Sequence, residues 1–259
     1  MADQSLTPLD VEALRRGLAG LALGARVVYA PEVGSTNTLA AELARGGAAE
    51  GTLVTSDFQT AGRGRVGRAW KERPNQQLAL SLILRPSFPA HFLVMASALA
   101  VAQAIEAVTD AQPDIKWPND VLLHGRKVCG ALIEMSDGVA ILGIGVNVNG
   151  ELGDDPELQG RATTLAAELG RPIARESLAV EIVRRLDARY PALQAGGAAA
   201  QRELRDAWRA RLATLGQRVT IRQREVTLHG LAEDVADDGA LLLRLDDGQG
   251  ATVLWGDVE

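Results

Sequence analysis

Gln59-Thr60-Ala61-Gly62-Arg63-Gly64-Arg65-Val66-Gly67-Arg68-Ala69-Trp70 separates two strand-like runs, Thr52–Phe58 and Leu78–Leu84. Three arginines fall within six positions, interleaved with glycines. Glycine lets a backbone approach a ligand closely and lets a loop move. Arginine forks match carboxylate and phosphate oxygens in pairs. The stretch therefore reads either as a solvated basic loop or as an anion-binding loop that folds over a phosphate. Gly62 to Gly67 also fits G-x-G-x-x-G, the dinucleotide pattern, which requires a helix to open directly after it. Pro74 follows soon and the next element is a strand, so that reading fails. No G-K-[ST] is present in the loop, so it is not a nucleotide P-loop either.

Outward from this loop, the chain alternates short strands and helices. Val11, Leu14 and Leu18 recur at helical spacing, with Gly20 as a stop. Arg26–Tyr29 reads as a strand. Ser35-Thr36-Asn37 opens a helix that carries Leu39 and Leu43 on one face and ends at Gly46-Gly47. Arg85-Pro86 closes the Leu78–Leu84 strand, and Phe92–Val108 is a long helix. Ile115–Trp117, Val121–Leu123, Lys127–Met135 and Ala140–Val148 read as strands, the last two joined at Asp137-Gly138. Helices are predicted over Thr164–Leu169, Ser177–Tyr190 and Ala199–Leu212. After Gly216 the texture changes to short alternating segments, Val219–Ile221, Val226–Leu231, Ala240–Leu245 and Ala251–Leu254. Turns at Asp238-Gly239 and Asp247-Gly248 separate them, the pattern of a small all-β unit. The expected division is 1–213 and 214–259.

Composition limits the function classes. The 259 residues are 47% hydrophobic and 23% charged, an ordinary globular balance with room for a sizeable core. Net charge is −6 and the sequence pI about 5.2, against a mainly nucleic-acid-binding protein. Cys129 is the only cysteine, so no intrachain disulfide can form, which fits a reducing compartment. Met1–Leu14 lacks a basic-then-apolar leader pattern, and Phe92–Val108 is broken by Gln103 and Glu106. That stretch reads as a buried helix rather than a membrane span, and a cytoplasmic enzyme is expected. The three histidines are scattered, without metal-ligand spacing.

Lys116-Trp117-Pro118-Asn119-Asp120 stands between two apolar runs. Pro118 disfavours helix at Trp117, and Pro-Asn-Asp reads as a turn that gathers polar side chains at a strand end. Asp120 is either a turn residue or a group that orients or deprotonates an incoming amine. Trp117 is either core or site. Lys127, among Val128, Ala131 and Ile133, either snorkels at an edge or points into a pocket. Cys129 reads as a small buried hydrophobe.

Five segments, in order, resemble the catalytic domain of biotin–protein ligases. They are Gly34–Asn37, Gln59–Trp70, Lys116–Asp120, Arg126–Gly130, and Gly143-Ile144-Gly145-Val146-Asn147-Val148-Asn149. The β-rich tail resembles that family's SH3-like C-terminal domain. The resemblance implies an α+β fold: a mixed sheet flanked by helices, similar to the class II aminoacyl-tRNA synthetase core, plus an SH3-like β-barrel. It implies that the carboxylate of biotin attacks the α-phosphate of ATP, giving biotinyl-5′-AMP, and that a carrier lysine then takes the biotin. Both reactants are anions, so fixed cations must offset their repulsion. By the resemblance, Arg63, Arg65 and Lys127 serve that chemistry and Asp120 orients the acceptor lysine. Ser35, Thr36, Asn37, Gln59 and Gly62 would hold biotin with Arg63, Arg65 and Lys127. Gly130, Leu132, Gly143 and Gly145 would wall it. Arg65, Arg68, Trp70, Lys116, Asn119 and Asn147 would lie toward ATP, with Mg²⁺ on the phosphates and no protein metal cluster. The implied partner is a biotin carboxyl carrier domain, that of acetyl-CoA carboxylase first. A monomer or a homodimer is compatible with the resemblance.

Two departures from the family pattern bear on this. The leader is short for the DNA-binding module that many members carry, so no DNA binding is expected. Where members often have a glycine after the loop tryptophan, this chain has Arg73-Pro74-Asn75-Gln76. Asn75 tolerates the left-handed region and can preserve the turn. Ser35-Thr36 also reads as an ordinary helix cap. Rival readings are a lipoate ligase or octanoyltransferase, a non-catalytic biotin-responsive regulator, and a generic nucleotide-binding module.

Overall fold

Leu78–Leu84 is buried at every position, because both faces of this strand are covered. In the structure, a computed structural model that describes residues 7–152, 158–223 and 226–259, it is the third strand of a seven-stranded sheet. The strands are β1 (Arg26–Ala30), β2 (Thr52–Ser56), β3 (Leu78–Leu84), β4 (Asp114–Lys116), β5 (Asp120–Leu123), β6 (Arg126–Ser136) and β7 (Val139–Val146). Their order is β1-β2-β3-β7-β6-β5-β4, with β1 and β2 parallel and every other pair antiparallel. The mixed sheet is as expected. The leader pattern read over Met1–Leu14 lies partly outside the described residues.

Side chains on a strand alternate between faces. Leu78, Leu80, Leu82 and Leu84 enter the main core with α3 (His91–Thr109) and α5 (Arg175–Gln194). α3 is long and apolar enough to cross a membrane, but it is the buried core helix of this layer. Ile83 lies on the other face, in a smaller cluster with Val54, Ile141 and Ala40 beneath α2 (Thr36–Arg45). On that same face Ser81 is paired with Gly143 and Gly143 with Leu132. One row along, Ala79 is paired with Gly145 and Gly145 with Gly130. Small residues thus leave a recess beside α2, and the site is built there.

α1 (Val11–Gly17) is capped by the Asp10 carboxylate, which accepts from Ala13 N. A buried ion pair, Arg175 to Asp57 at 2.9 Å, fixes α5 to the end of β2. Leu9 N and Tyr29 OH donate to the same carboxylate. α5 runs past Tyr190, where the sequence placed its end, and includes Pro191. Leu193 is buried in the core, and that packing retains the last turn. α6 (Ala198–Arg209) stops short of Leu212, because Leu212 leaves the helix to bridge Ile115 of β4. α4 (Leu165–Leu169) is a single capped turn.

The second sheet contains β8 (Arg218–Arg222), β9 (Thr227–Val235), β10 (Leu241–Leu245), β11 (Gly250–Val253) and β12 (Asp257–Val258) in the order β11-β10-β9-β8-β12. β12 is two residues long and carries no alternation to read. The turn between β9 and β10 inserts into the first layer. Trp117 Nε1 donates to Gly239 O at 2.8 Å, and Trp117 N donates to Thr214 Oγ1 at 2.9 Å. Gly239 has φ +82° and lies against Met95, so neither its backbone angle nor its surroundings suit a side chain.

Candidate active site

The recess is lined from four directions. From α2 come Ser35, Thr36 and Asn37, all buried. Ser35 stands at the N-cap position but its hydroxyl makes no cap hydrogen bond, so the plain capping role is not taken and the hydroxyl is left over for the recess. Thr36 N and Thr36 Oγ1 donate to Gln59 Oε1 at 2.8 and 3.0 Å. Asn37 Nδ2 donates to Glu134 Oε2 at 2.7 Å. Ser81 Oγ lies 2.8 Å from Thr36 Oγ1 and 2.7 Å from Asn37 Oδ1.

The arginine–glycine loop crosses this recess with a short 3-10 turn at Arg65–Gly67. Its ends are tied together by Trp70 N donating to Gly62 O at 2.9 Å and Gly64 N to Arg68 O at 2.7 Å. A side chain at Gly62 would meet Trp70 O at 2.6 Å, so only glycine allows that closure. The three arginines diverge. Arg63 pairs with Glu134 at 2.9 Å and Arg68 with Asp257 at 2.6 Å. Arg65 donates to Asn119 Oδ1 and reaches Gly256 O, just before the last strand of the second sheet, both neutral acceptors. Asn75 adopts φ +64°, and the turn after the loop is preserved as expected.

Trp70 lies flat toward Gly145, where a Cβ would sit 2.6 Å from its Cε2. Asn37 similarly occupies the space that a side chain at Gly143 would need. The two glycines of β7 therefore make room for an amide and an indole above the sheet. The Trp70 indole N–H faces the Glu72 carboxylate without closing to a hydrogen bond. Glu72 accepts from Gln59 N and, at 3.2 Å, from Gln59 Nε2. Burial raises the Glu72 carboxyl above the ordinary carboxylate range, against the pull of these donors and of Arg175.

At the far end Lys127 Nζ meets Asp120 Oδ1 at 2.6 Å. The pair is about one-third and one-quarter exposed, and Gly130 leaves space beside the ammonium. Lys127 thus points into the recess rather than snorkelling at an edge. Asn119 is buried and donates to Ala131 O at 2.8 Å, so its carbonyl is the end offered to Arg65. Trp117 is buried core as well as a neighbour of the site. Asn147 is buried, with its backbone N–H on Val128 O. Lys116 ends β4 as a partly exposed side chain, and Leu132 sits on the recess face beside Gly143. Cys129 is buried, and burial pushes its thiol up, as suits a packing residue.

Ser81, Glu72 and Glu134 escaped the sequence reading. Ser81 did carry a signal: a lone hydroxyl inside Leu78–Leu84 is a buried polar group that needs a reason. The two glutamates carried none, since their partners lie 13 and 97 positions away in the chain.

Among the described residues no group of three or more His, Cys, Asp or Glu side chains could hold a metal ion. The site carboxylates of Asp120, Glu134 and Glu72 are each occupied by a protein donor.

Residues 29–151 match the Biotin/lipoate A/B protein ligase family, and residues 214–259 match the Biotin protein ligase C terminal domain. The biotin–[acetyl-CoA-carboxylase] ligase of Mycobacterium tuberculosis is 35% identical over 269 residues, covering 99% of this chain and 97% of that protein. The bifunctional ligase/repressor BirA of Bacillus subtilis is 37% identical over 249 residues, covering 93% and 76%. The solved biotin protein ligase of Aquifex aeolicus in complex with biotin and ATP superposes with a TM-score of 0.79 at 28% identity, over 90% of this chain and 97% of that one.

Proposed function

We infer the activity from one premise: the chain belongs to the biotin protein ligase family. It is an ATP-dependent ligase that converts biotin to biotinyl-5′-AMP and passes the biotin to a lysine of a carrier protein. The biotin carboxyl carrier domain of acetyl-CoA carboxylase is the acceptor we favour, on the name of the mycobacterial relative. A chain with one free, buried cysteine fits the reducing cytoplasm. We take the ligase domain as 1–213 and the small β domain as 214–259.

The observation that carries the mechanism is the Lys127–Asp120 pair at the end of the recess. In the first step a biotin carboxylate oxygen attacks the α-phosphorus, and pyrophosphate leaves. Lys127, Arg63 and Arg65 lower the repulsion between the anions and stabilise charge that develops at phosphorus. An anion bound at Lys127 replaces Asp120 there. The freed Asp120 carboxylate then accepts the proton of the incoming carrier amine, which attacks the acyl carbon and expels AMP. Ser35, Thr36, Asn37 and Gln59 hold the ureido ring, and Gly130, Gly145 and Leu132 wall the recess around the apolar body. Gly62 and Gly143 let the backbone come close. Arg68, Trp70, Lys116, Asn119 and Asn147 face the nucleotide. Mg²⁺ would ride on the triphosphate, since it keeps most of its waters and binds through few carboxylates.

The test is pyrophosphate release with ATP, Mg²⁺ and either biotin or lipoate, with the adenylate identified by mass. Biotinyl-AMP alone is expected. A lipoyl-AMP product would move the chain to the lipoate branch of its family, and no adenylate would remove the catalytic reading.

A further inference from the structure

Lys127 faces the recess against the plain alternation of its strand. Gly130 and Leu132 of β6 lie on the recess face, opposite Gly145 and Gly143. Strand side chains alternate, so position 127 should share the core face with Cys129 and Ala131. Instead its Nζ lies 3.0 Å from where a Cβ on Gly130 would stand. The strand register supplies the reason. Val121 is paired with Cys129 but Leu122 with Lys127, so β6 uses two residues where β5 uses one. Val128 is the extra residue, and consecutive Val128 and Cys129 are both buried in the core. A bulge of this kind re-aims the side chain beside it, and here it brings Lys127 round to Asp120.

The bulge is held from outside the β5–β6 ladder. Lys127 N donates to Arg161 O and Thr163 N donates to Lys127 O, both at 2.9 Å. Asn147 N donates to Val128 O at 2.7 Å, and Leu165 N to Asn147 O at 3.0 Å. The segment from Arg161 to Leu165 thus ties the backbone of Lys127 to that of Asn147. Just beyond it, in α4, stands Glu168, whose side chain is only 3% exposed. Its Oε2 lies 2.7 Å from His124 Nδ1, and its Oε1 pairs with Arg126. The Thr163 side chain bonds the same carboxylate. His124 and Gly125 are the two-residue turn between β5 and β6, with φ +50° and +76°. Positive φ at both positions is the geometry of a tight hairpin, and the turn sets the register of the strands that leave it. One carboxylate therefore grips the turn, the first residue of β6 and the segment bonded to the Lys127 backbone.

We propose that Glu168 is a positioning residue for adenylation: it clamps the His124–Gly125 turn to the Arg161–Thr163 segment, which holds the Val128 bulge and so aims Lys127 into the recess. This rests on the biotin ligase reading above, in which Lys127 acts on the reacting anions. His124, Arg126 and Thr163 hold neither biotin nor ATP in that scheme, so Glu168 acts only through the strand. A one-residue slip turns a strand's side chains to the opposite face. Loosening the turn lets the bulge relax, and the ammonium loses its aim. A shift of about 1 Å in a reacting group can slow a reaction roughly 100-fold.

Glu168→Gln keeps the size of the side chain, removes its charge and sets an NH₂ group against His124 or Arg126. The experiment is a double-mutant cycle with Lys127→Ala, read as the single-turnover rate of biotinyl-AMP formation. Glu168→Gln alone should slow that step on the order of 10-fold. In the Lys127→Ala background the same change should alter the residual rate by less than about twofold, because no ammonium is left to aim. A general structural role would give equal losses in both backgrounds. A second readout makes no use of activity. Cys129 is the chain's one cysteine, buried directly after the bulge. Under native conditions iodoacetamide should label it at least about fivefold faster in Glu168→Gln, through local opening of β6. Glu168→Asp, which keeps the charge on a shorter arm, should recover part of both effects. Equal losses in the two backgrounds, or a Cys129 that labels no faster than in wild type, overturns the proposal. No biotinyl-AMP from wild type, or full activity in Lys127→Ala, would instead overturn the functional reading on which it rests, and the labelling rate would still decide whether Glu168 holds the bulge.

Discussion

Two short ion pairs hold opposite ends of the catalytic layer, and they are built for different purposes. Arg175–Asp57, at 2.9 Å, has both side chains about 95% buried, and its remaining polar atoms are taken by Leu9 N, Tyr29 OH, Thr7 O and Gln77 O. Lys127–Asp120, at 2.6 Å, is partly exposed, and the ammonium lies over Gly130, where a Cβ would come within 3.0 Å of Nζ. A buried pair with every lone pair satisfied cannot exchange partners without stranding a charge. A half-exposed one can release its carboxylate when another anion arrives. The first is a fastener and the second is exchangeable, although both are a cation on a carboxylate.

The largest effect should come from breaking the fastener. Arg175→Ala leaves Asp57 buried without its cation and should destabilise the fold by about 3–5 kcal/mol. Chemical unfolding measures it, and a loss below about 1 kcal/mol would mean that the pair is better hydrated than its burial indicates. Breaking the exchangeable pair should invert the outcome. Lys127→Ala should lower the rate of adenylation by roughly 10²–10³-fold. Its unfolding midpoint should stay near wild type, because a half-exposed pair contributes little stability. Single-turnover formation of biotinyl-AMP is the readout. Equal activity would remove Lys127 from the mechanism.

The same contrast explains what was legible in the sequence. Lys127, Asp120 and the loop arginines sit in segments where residue type and local order already carry the chemistry. Leu78–Leu84 declared a strand through its unbroken apolar run. Asp57 and Arg175 are 118 positions apart, and each looks like an ordinary surface charge until the fold brings them together. Glu72 and Glu134 are hidden for the same reason: their meaning lies in an amide they orient across a sheet. The end of α5 was misplaced because Pro191 is a local stop signal that burial of Leu193 outweighs. β12 has no pattern at two residues and exists only by pairing with β8.

A third change sharpens the comparison inside the recess. Gly145→Ala puts a methyl 2.6 Å from Trp70 Cε2, so the indole must move. Overpacking of this kind costs about 1–3 kcal/mol. Because Trp70 faces the nucleotide in the proposed site, the KM for ATP should rise more than the KM for biotin. Steady-state titration of each substrate tests it, and a rise confined to biotin would place Trp70 on the wrong side.

The smallest effect concerns the loop. Arg63 and Arg68 each hold a carboxylate, whereas Arg65 is held by the neutral Asn119 and Gly256 oxygens. Among the described residues its charge is therefore the one of the three not offset by a direct ion pair, and it is already directed over the Lys116–Asp120 segment. An anionic adenylate beneath the loop should feel Arg65 more than Arg68. Arg65→Gly should release biotinyl-AMP about tenfold faster, as expected for losing one charge-assisted hydrogen bond of about 1.5 kcal/mol. Arg68→Ala, which breaks a mostly exposed pair with Asp257, should change release by less than about threefold. Rapid filtration after a chase with unlabelled biotin separates the two. If Arg65→Gly retains the adenylate as long as wild type does, charge in the loop is not what holds it, and closure must rest on Trp70 and the Gly62 hinge instead.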